Sequence, residues 1–207
     1  MKTLRECSQH VSSITPLCHL DNERAWAYNF YSLDAQLFHL IYGALHGPPW
    51  GTVLEVLTYL GDERLVLSVT FLGLLEAVLR RVKKPLMTPW VAVAWAAVFT
   101  AGLKVVFHRP RPVEVFSFLG VKAGAAELGR SFPSGHATAA FALATALSYR
   151  WPRLSGLWIS LAVAAALSRI GLGLHWPTDV MVGACIGFGM VWSFAWLERR
   201  FIRRWNV

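Results

Sequence analysis

Residues 154–196 read LSGLWISLAVAAALSRIGLGLHWPTDVMVGACIGFGMVWSFAW, two apolar runs separated by a short polar turn. The runs 154–174 and 180–196 each approach the length of ~20 mostly apolar residues that a helix needs to cross a ~30 Å hydrocarbon layer. Pro177, in the turn between them, suits the first turn of a new helix. The stretch therefore predicts two antiparallel membrane helices joined at one face of the bilayer.

The same block pattern extends through most of the chain. Of its 207 residues, 55% are hydrophobic and 15% are charged, whereas an ordinary soluble domain has about 25% charged residues. This composition excludes a disordered or fibrous protein. Three further candidate spans lie at residues 65–79 (extended back to 61), 87–107 and 136–151. We expect an all-α, polytopic transmembrane bundle of about five spans, with one membrane-embedded domain at 26–207 after a polar segment at 1–25.

The region before the first span is apolar but broken. Residues 26–61 include several ionisable groups and two prolines: Asp34, His39, His46, Glu55, Pro48 and Pro49. We interpret this region as two interfacial amphipathic helices, and a sixth span over 30–45 is the alternative. Residues 1–25 lack the pattern of a secretory signal, so we expect the first true span to direct insertion.

The excess of positive charge divides between two places. The chain carries 20 Lys and Arg against 12 Asp and Glu, a formal charge of +8, which by itself fits nucleic acid, an acidic membrane surface or an anionic substrate. Ten basic residues fall on one side of a five-span arrangement: Arg80, Arg81, Lys83, Lys84, Arg150, Arg153, Arg199, Arg200, Arg203 and Arg204. The positive-inside rule makes that side, and the C-terminus, cytoplasmic. No nucleic-acid partner is needed to explain the charge.

The opposite, outer side gathers ionisable residues at the ends of spans. Lys104, Arg111 and Arg169 are expected there, together with two histidines and Asp179. Three cations balance a phosphate monoester of about −1.5 to −2 charges, and arginine binds its oxygens in bidentate fashion. Lys104 alone could instead snorkel to the interface, but Arg169 lies within an apolar run and favours a bound anion or buried partner. The residue chemistry therefore predicts a phosphate site.

Two local patterns predict how side chains and backbone groups are arranged at this site. In the string PSGH at 133–136, Ser134 can cap a helix and Gly135 allows close backbone approach, which makes a helix N-terminus suited to an anion. In the turn HWPTD at 175–179, Asp179 can reach back to one nitrogen of His175 and raise the basicity of the other. Asp179 could equally be a carboxylate favoured by the helix dipole.

Three spaced motifs carry a family resemblance. They are Lys104 with Arg111-Pro112, then Pro133-Ser134-Gly135-His136, then Ser168-Arg169 with His175 and Asp179. In this order and spacing the chain resembles the type-2 phosphatidic acid phosphatase family, which also includes vanadium haloperoxidases. The motifs cover 104–179 and the span pattern covers about 30–200, whereas many bacterial relatives have an additional first span. Arg109-Pro110 repeats the Arg-Pro pair without the family spacing, so we interpret Arg109 and His108 as interfacial charges.

The resemblance implies a role for each motif residue. His175 would attack phosphorus and form a phosphohistidine, held by Asp179, and His136 would protonate the leaving oxygen and then activate water. The phosphate oxygens would be held by Lys104, Arg111, Ser134, Gly135 and Arg169. No metal and no cofactor are expected, and the three cysteines, Cys7, Cys18 and Cys185, have no metal-binding spacing.

Several functions follow from this interpretation. The leading one is a metal-independent lipid phosphate phosphatase at the outer leaflet of a bacterial inner membrane, acting on a prenyl diphosphate such as undecaprenyl diphosphate or on a glycerolipid phosphate such as phosphatidylglycerophosphate. A lipid-phosphate binding or transport protein without hydrolysis is the alternative, and a vanadate-dependent haloperoxidase is a third. The oligomeric state stays open, and Gly183 and Gly187 are expected to serve packing within the chain. Asp62 and Glu63 are expected on the outer side, near the basic pocket.

Overall fold

The computed structural model describes residues 22–47, 50–80, 88–116 and 130–205. Every regular element within these ranges is helical: α1 Asn22–Leu45, α2 Trp50–Tyr59, α3 Glu63–Leu79, α4 Thr88–Val106, α5 Pro112–Val115, α6 Gly135–Arg150, a 3₁₀ turn Pro152–Leu154, α7 Ser155–Gly171 and α8 Pro177–Trp205. The predicted all-α class is confirmed. Predicted features outside the described residues are Cys7, Cys18, Arg81, Lys83, Lys84 and loop residues 117–129.

Three helices of the described chain are long and apolar enough to cross a membrane. They are Thr88–Val106, Pro152–Gly171 and Pro177–Arg200. The other two predicted spans form α3 and α6, with 17 and 16 residues, or ~25 Å at ~1.5 Å per residue. The transmembrane helix bundle is therefore confirmed, and the spanning of α3 and α6 stays a prediction.

Helix α6 lies at the centre of the bundle. It packs against α3, α4, α7 and α8, and its small buried side chains let those neighbours approach closely. These buried side chains are Ala137, Ala139, Ala140, Ala142, Ala144 and Ala146. A methyl group added to Gly187 of α8 would lie 2.8 Å from the backbone nitrogen of Ala142, and one added to Gly183 would lie 3.2 Å from Cβ of Ala137. The predicted packing of these glycines within the chain is confirmed.

Successive helices of the bundle end at opposite ends of it, as the five-span order predicts. Arg80 at the end of α3 and Arg150 at the end of α6 both pair with Glu76, at 3.2 Å and 3.6 Å. These two helices therefore run in the same direction, and their basic C-terminal ends lie together. At the other end of the bundle, α4 and α7 end where α6 and α8 begin.

The N-terminal region contains the two helices expected for residues 26–61, α1 and α2. The chain divides into two compact units, residues 1–36 and 37–207. The three described helices that could cross a membrane do not include α1. Its interfacial position, and a domain boundary between residues 25 and 26, stay predictions.

Candidate active site

A cavity of ≈520 Å³ opens at the end of the bundle where α3, α6 and α8 begin. Its lining residues are Asp62, Glu63, Arg64, Lys104, Arg111, Arg130, His136, Arg169 and His175. Five of these side chains are cationic and two are carboxylates, so the lining has a formal charge of +3 when both histidines are neutral. The structure thus brings together the predicted cations and both predicted histidines from three separate motifs.

The start of α6 has the form expected of an anion site. Ser134 caps the helix, because its Oγ accepts the N–H of Ala137 at 3.4 Å. A Cβ added to Gly135 would lie 3.2 Å from Nζ of Lys104 and closer still to Oε1 of Glu63. The missing side chain therefore leaves the helix terminus open toward both a carboxylate and a lysine, and backbone N–H groups at such a terminus favour a negative group.

His175 and Asp179 face one another in the turn before α8. Nδ1 of His175 lies 3.7 Å from Oδ2 of Asp179, and both side chains are excluded from solvent. The same Oδ2 accepts the N–H of Trp176 at 3.0 Å and the hydroxyl of Ser131. Asp179 therefore both caps its helix and orients the histidine, which leaves Nε2 of His175 available for chemistry.

Burial keeps the His175 ring neutral. It lowers the pKa of His175 to about 3; the neighbouring Asp179 carboxylate opposes this shift, whereas Arg169 and Arg111 reinforce it. Below this pKa the ring would be protonated, so at neutral pH it keeps a nitrogen lone pair. A neutral imidazole whose Nδ1 is oriented by a carboxylate is the protonation state that a nucleophile requires.

Arg109 occupies a different place from the one expected. Its Nη1 lies 2.6 Å from Oδ1 of Asp179 and 2.8 Å from Oγ1 of Thr178, and its guanidinium lies 5.2 Å from the ring centroid of Trp176. The interpretation of Arg109 as an interfacial charge was therefore wrong. Spacing from Lys104 identifies the arginine that faces the cavity, but not a second arginine that turns toward α8. His108 is exposed, and its interfacial position stays a prediction.

Both cavity-facing arginines are held by polar groups of the protein. Arg111 is 2% exposed, and its Nη1 donates to the carbonyl of Leu174 at 3.4 Å. Arg169 is 5% exposed, and its Nη1 donates to Oγ1 of Thr58 at 2.8 Å. Arg169 thus has a buried polar partner in Thr58, which links α2 to the cavity, and its role as a phosphate ligand stays a prediction.

Four contributors were not assigned from the sequence. Ser131 hydrogen-bonds Asp179 and lies with its Oγ 3.5 Å from Nδ1 of His175, while Thr58 contacts Arg169 as described above. Arg64 and Arg130 are exposed and lie on the cavity wall. The only sequence signal for Arg64 was its position after Asp62 and Glu63, which line the cavity as expected.

Comparison with known proteins gives four consistent findings. The model of the PAP2 superfamily matches residues 85–203. Lipid A 1-phosphatase from Rhizobium etli is 27% identical over 179 residues, which cover 77% of this chain and 76% of that protein. Phosphatidylglycerophosphatase B from Escherichia coli K12 is 38% identical over 79 residues, which cover 36% of this chain and 31% of that protein. The crystal structure of Aquifex aeolicus LpxE aligns with a TM-score of 0.64 and 30% identity, over 77% of this chain and 92% of that one.

Proposed function

The chain belongs to the PAP2 superfamily, and we propose that it hydrolyses a phosphate or diphosphate lipid through a phosphohistidine on His175, without a metal ion. Its similarity to these relatives identifies it as a phosphatase that acts on lipid phosphates. The observation that carries the proposal is the cavity in which His136 and His175 share a wall with buried arginines. Binding alone would need the cations but not two groups able to transfer protons.

In the first step, Nε2 of His175 attacks phosphorus. A phosphorus–nitrogen bond forms while the bond from phosphorus to the leaving oxygen breaks. His136 gives its proton to that oxygen, so the lipid leaves as an alcohol or, from a diphosphate, as a monophosphate. Asp179 supports the positive charge that develops on the His175 ring and keeps its orientation.

The cavity supplies positive charge where phosphoryl transfer spreads negative charge over the equatorial oxygens. Lys104, Arg111 and Arg169 would hold these oxygens together with Ser134 and the backbone N–H of Gly135. The buried Arg111 and Arg169 side chains already donate to Leu174 and Thr58, so these two cations require little reorganisation during the reaction. Fixed side-chain cations at this position support chemistry without a divalent metal.

In the second step, water attacks the phosphohistidine. His136, now unprotonated, takes a proton from that water, the phosphorus–nitrogen bond breaks, and inorganic phosphate leaves. The donated and recovered protons balance over the cycle, so both histidines return to their starting state.

The substrate class and the side of the membrane belong to the same proposal. The relatives named above act, by their names, on lipid A and on phosphatidylglycerophosphate, and a prenyl diphosphate such as undecaprenyl diphosphate presents the same terminal phosphate. The basic ends of α3 and α6 lie opposite the cavity, which supports a cytoplasmic C-terminus and a cavity at the outer leaflet.

Phosphate release from defined lipids tests the proposal. Purified protein in detergent should release phosphate from phosphatidylglycerophosphate, phosphatidic acid, lipid A or undecaprenyl diphosphate in excess EDTA. Reactions with labelled substrate, quenched in alkaline detergent, should contain a phosphoprotein that is stable to alkali and labile to acid, and that His175→Ala lacks. Loss of activity in EDTA, restored by a divalent ion, would contradict the metal-independent chemistry. Lipid movement between leaflets without phosphate release would instead establish a transporter.

A further inference from the structure

The C-terminal part of α1, residues 37–45, packs along the turn between α7 and α8, and it belongs to the same compact unit as that turn. Phe38 and Leu45 are seven residues apart, which is about two helical turns, so they share one face of α1. A Cβ added to Gly171, the last residue of α7, would lie 3.2 Å from Cβ of Leu45. The ring centroid of Phe38 lies 5.6 Å from that of Trp176. Helix α1 therefore contacts both ends of the turn that carries the proposed nucleophile.

The ring of Phe38 is part of an aromatic cluster around Trp176. Phe38 is 0% exposed, and it stacks on Phe116 with centroids 5.8 Å apart. Phe116 in turn contacts Trp176 edge to face at 5.9 Å, and Tyr42 stacks on Phe38 at 5.3 Å. Aromatic rings in these arrangements attract one another beyond the area that they bury. Phe38, Phe116 and Trp176 contact one another pairwise, so a shift of one ring disturbs the other two.

Polar contacts fix the direction of the Trp176 indole. Its Nε1 donates to the carbonyl oxygen of Pro110 at 2.8 Å, and the guanidinium of Arg109 lies 5.2 Å from the ring centroid. The backbone N–H of Trp176 donates to Oδ2 of Asp179 at 3.0 Å. Because Trp176 directly follows His175 in the chain, a shift of the indole moves the backbone that carries the imidazole. It also moves the N–H group that Asp179 accepts.

We propose that Phe38 is a positioning residue, which holds His175 in line with phosphorus by fixing Trp176. Helix α1, which lies outside the three sequence motifs, thereby becomes part of the catalytic framework. The inference rests on the proposed function, because it concerns the attack by His175. A displacement of the nucleophile by ~1 Å can cost about a hundredfold in rate. Lys104 and the start of α6 belong to other elements, so we expect phosphate binding to change much less than the rate of attack.

The rate of phosphohistidine formation tests the proposal. His136→Ala is the background, since with a nitrophenyl phosphate it should form the phosphohistidine and hydrolyse it slowly. Adding Phe38→Ala should lower the rate constant of the nitrophenol burst by about tenfold to a hundredfold, with an amplitude still close to one equivalent. A role in folding alone would have the opposite signature. A misfolded fraction lowers the burst amplitude, whereas the folded fraction keeps the original rate constant.

Three further variants in the same background sharpen the test. Leu40→Ala is the matched control, because Leu40 is 71% exposed on the same helix, and it should keep both rate constant and amplitude. Phe38→Leu should recover part of the rate, since leucine refills much of the space beside Trp176. Phe116→Ala should also slow the burst. Its combination with Phe38→Ala should slow the burst by less than the product of the two separate effects, because contacting residues are not independent.

The outcomes separate this inference from the proposed function. If His136→Ala alone forms no phosphohistidine, the proposed function fails, and the inference fails with it. If the phosphohistidine forms and Phe38→Ala leaves the burst rate constant unchanged, or lowers only the amplitude, the positioning role of Phe38 is overturned. Should Phe38→Ala not fold, Phe38→Leu decides in its place. A slower burst at full amplitude supports the proposal, and the rate constant of the His136→Ala background overturns it.

Discussion

Nη1 of Arg109 lies 2.6 Å from Oδ1 of Asp179, in a pair whose side chains are 10% and 0% exposed. The other oxygen of the same carboxylate faces His175, Ser131 and the N–H of Trp176. Asp179 is therefore held from both sides, by a guanidinium on one oxygen and by the turn that carries the histidine on the other. We therefore expect Arg109 to be a positioning residue that acts on His175 through Asp179.

Replacement of Arg109 should lower turnover more than it weakens substrate binding. We expect Arg109→Gln to reduce kcat by about tenfold to a hundredfold with little change in KM, because a misoriented nucleophile loses reactivity without losing phosphate contacts. Steady-state kinetics with a short-chain soluble substrate measure both constants. Arg111→Gln should raise KM as well, and Arg109→Lys should recover part of the turnover.

The same substitution should also lower stability. Removing one partner of a buried ion pair leaves an uncompensated charge and costs about 3 kcal/mol, so the thermal midpoint of Arg109→Gln in detergent should fall. His108→Gln is the control, because His108 is the exposed neighbour of Arg109. Equal thermal midpoints and equal kinetics for the two variants would contradict the positioning role.

Substitution of His136 should separate the two chemical steps. With a nitrophenyl phosphate, the leaving group needs no proton, so His136→Ala should still form the phosphohistidine but hydrolyse it slowly. A burst of nitrophenol close to one equivalent, followed by slow turnover, is the expected progress curve. The burst should be absent in His175→Ala. A His136→Ala variant with wild-type steady-state turnover on lipid would remove this residue from the mechanism.

A methyl group at the start of α6 should weaken phosphate binding. In Gly135→Ala the new Cβ would press on Nζ of Lys104 and on the Glu63 carboxylate, so we expect KM to rise about tenfold or more. Inhibition by inorganic phosphate should weaken in parallel. Gly156→Ala on α7 meets no atom within 4 Å and should behave as the wild type, so similar kinetics for both alanine variants would argue against a phosphate contact at Gly135.

Two glycines on α8 provide a matched test of the packing between α6 and α8. Gly187→Ala would place Cβ 2.8 Å from the backbone nitrogen of Ala142, whereas Gly189→Ala meets nothing within 4 Å. Overpacking of this kind costs about 1–3 kcal/mol, so Gly187→Ala should unfold at lower temperature than Gly189→Ala. The ranking should hold in thermal denaturation followed in detergent, and the reverse ranking would contradict the described helix contact.

Much of the site could be expected from local sequence. Lys104, Arg111, His136, Arg169 and His175 meet in one cavity because each lies at the end of an apolar run, and antiparallel runs of similar length bring alternate ends to one depth. The cap at Ser134 could likewise be expected, since a hydroxyl directly before a helix satisfies its free N–H groups.

The remaining features depend on contacts between distant parts of the chain. Arg109 and Asp179 are seventy residues apart, and no local pattern states toward which helix an arginine in an irregular turn will point. A second cavity, lined mostly by apolar side chains, likewise forms only where α3 and α7 flank α6. Hydrophobic run length and cap chemistry act over a few residues, so the amino-acid sequence alone establishes the helices and the chemistry at their ends. Side-chain direction and the space between helices arise from packing, so the partner of Asp179 and the cavity between α3, α6 and α7 required the tertiary structure.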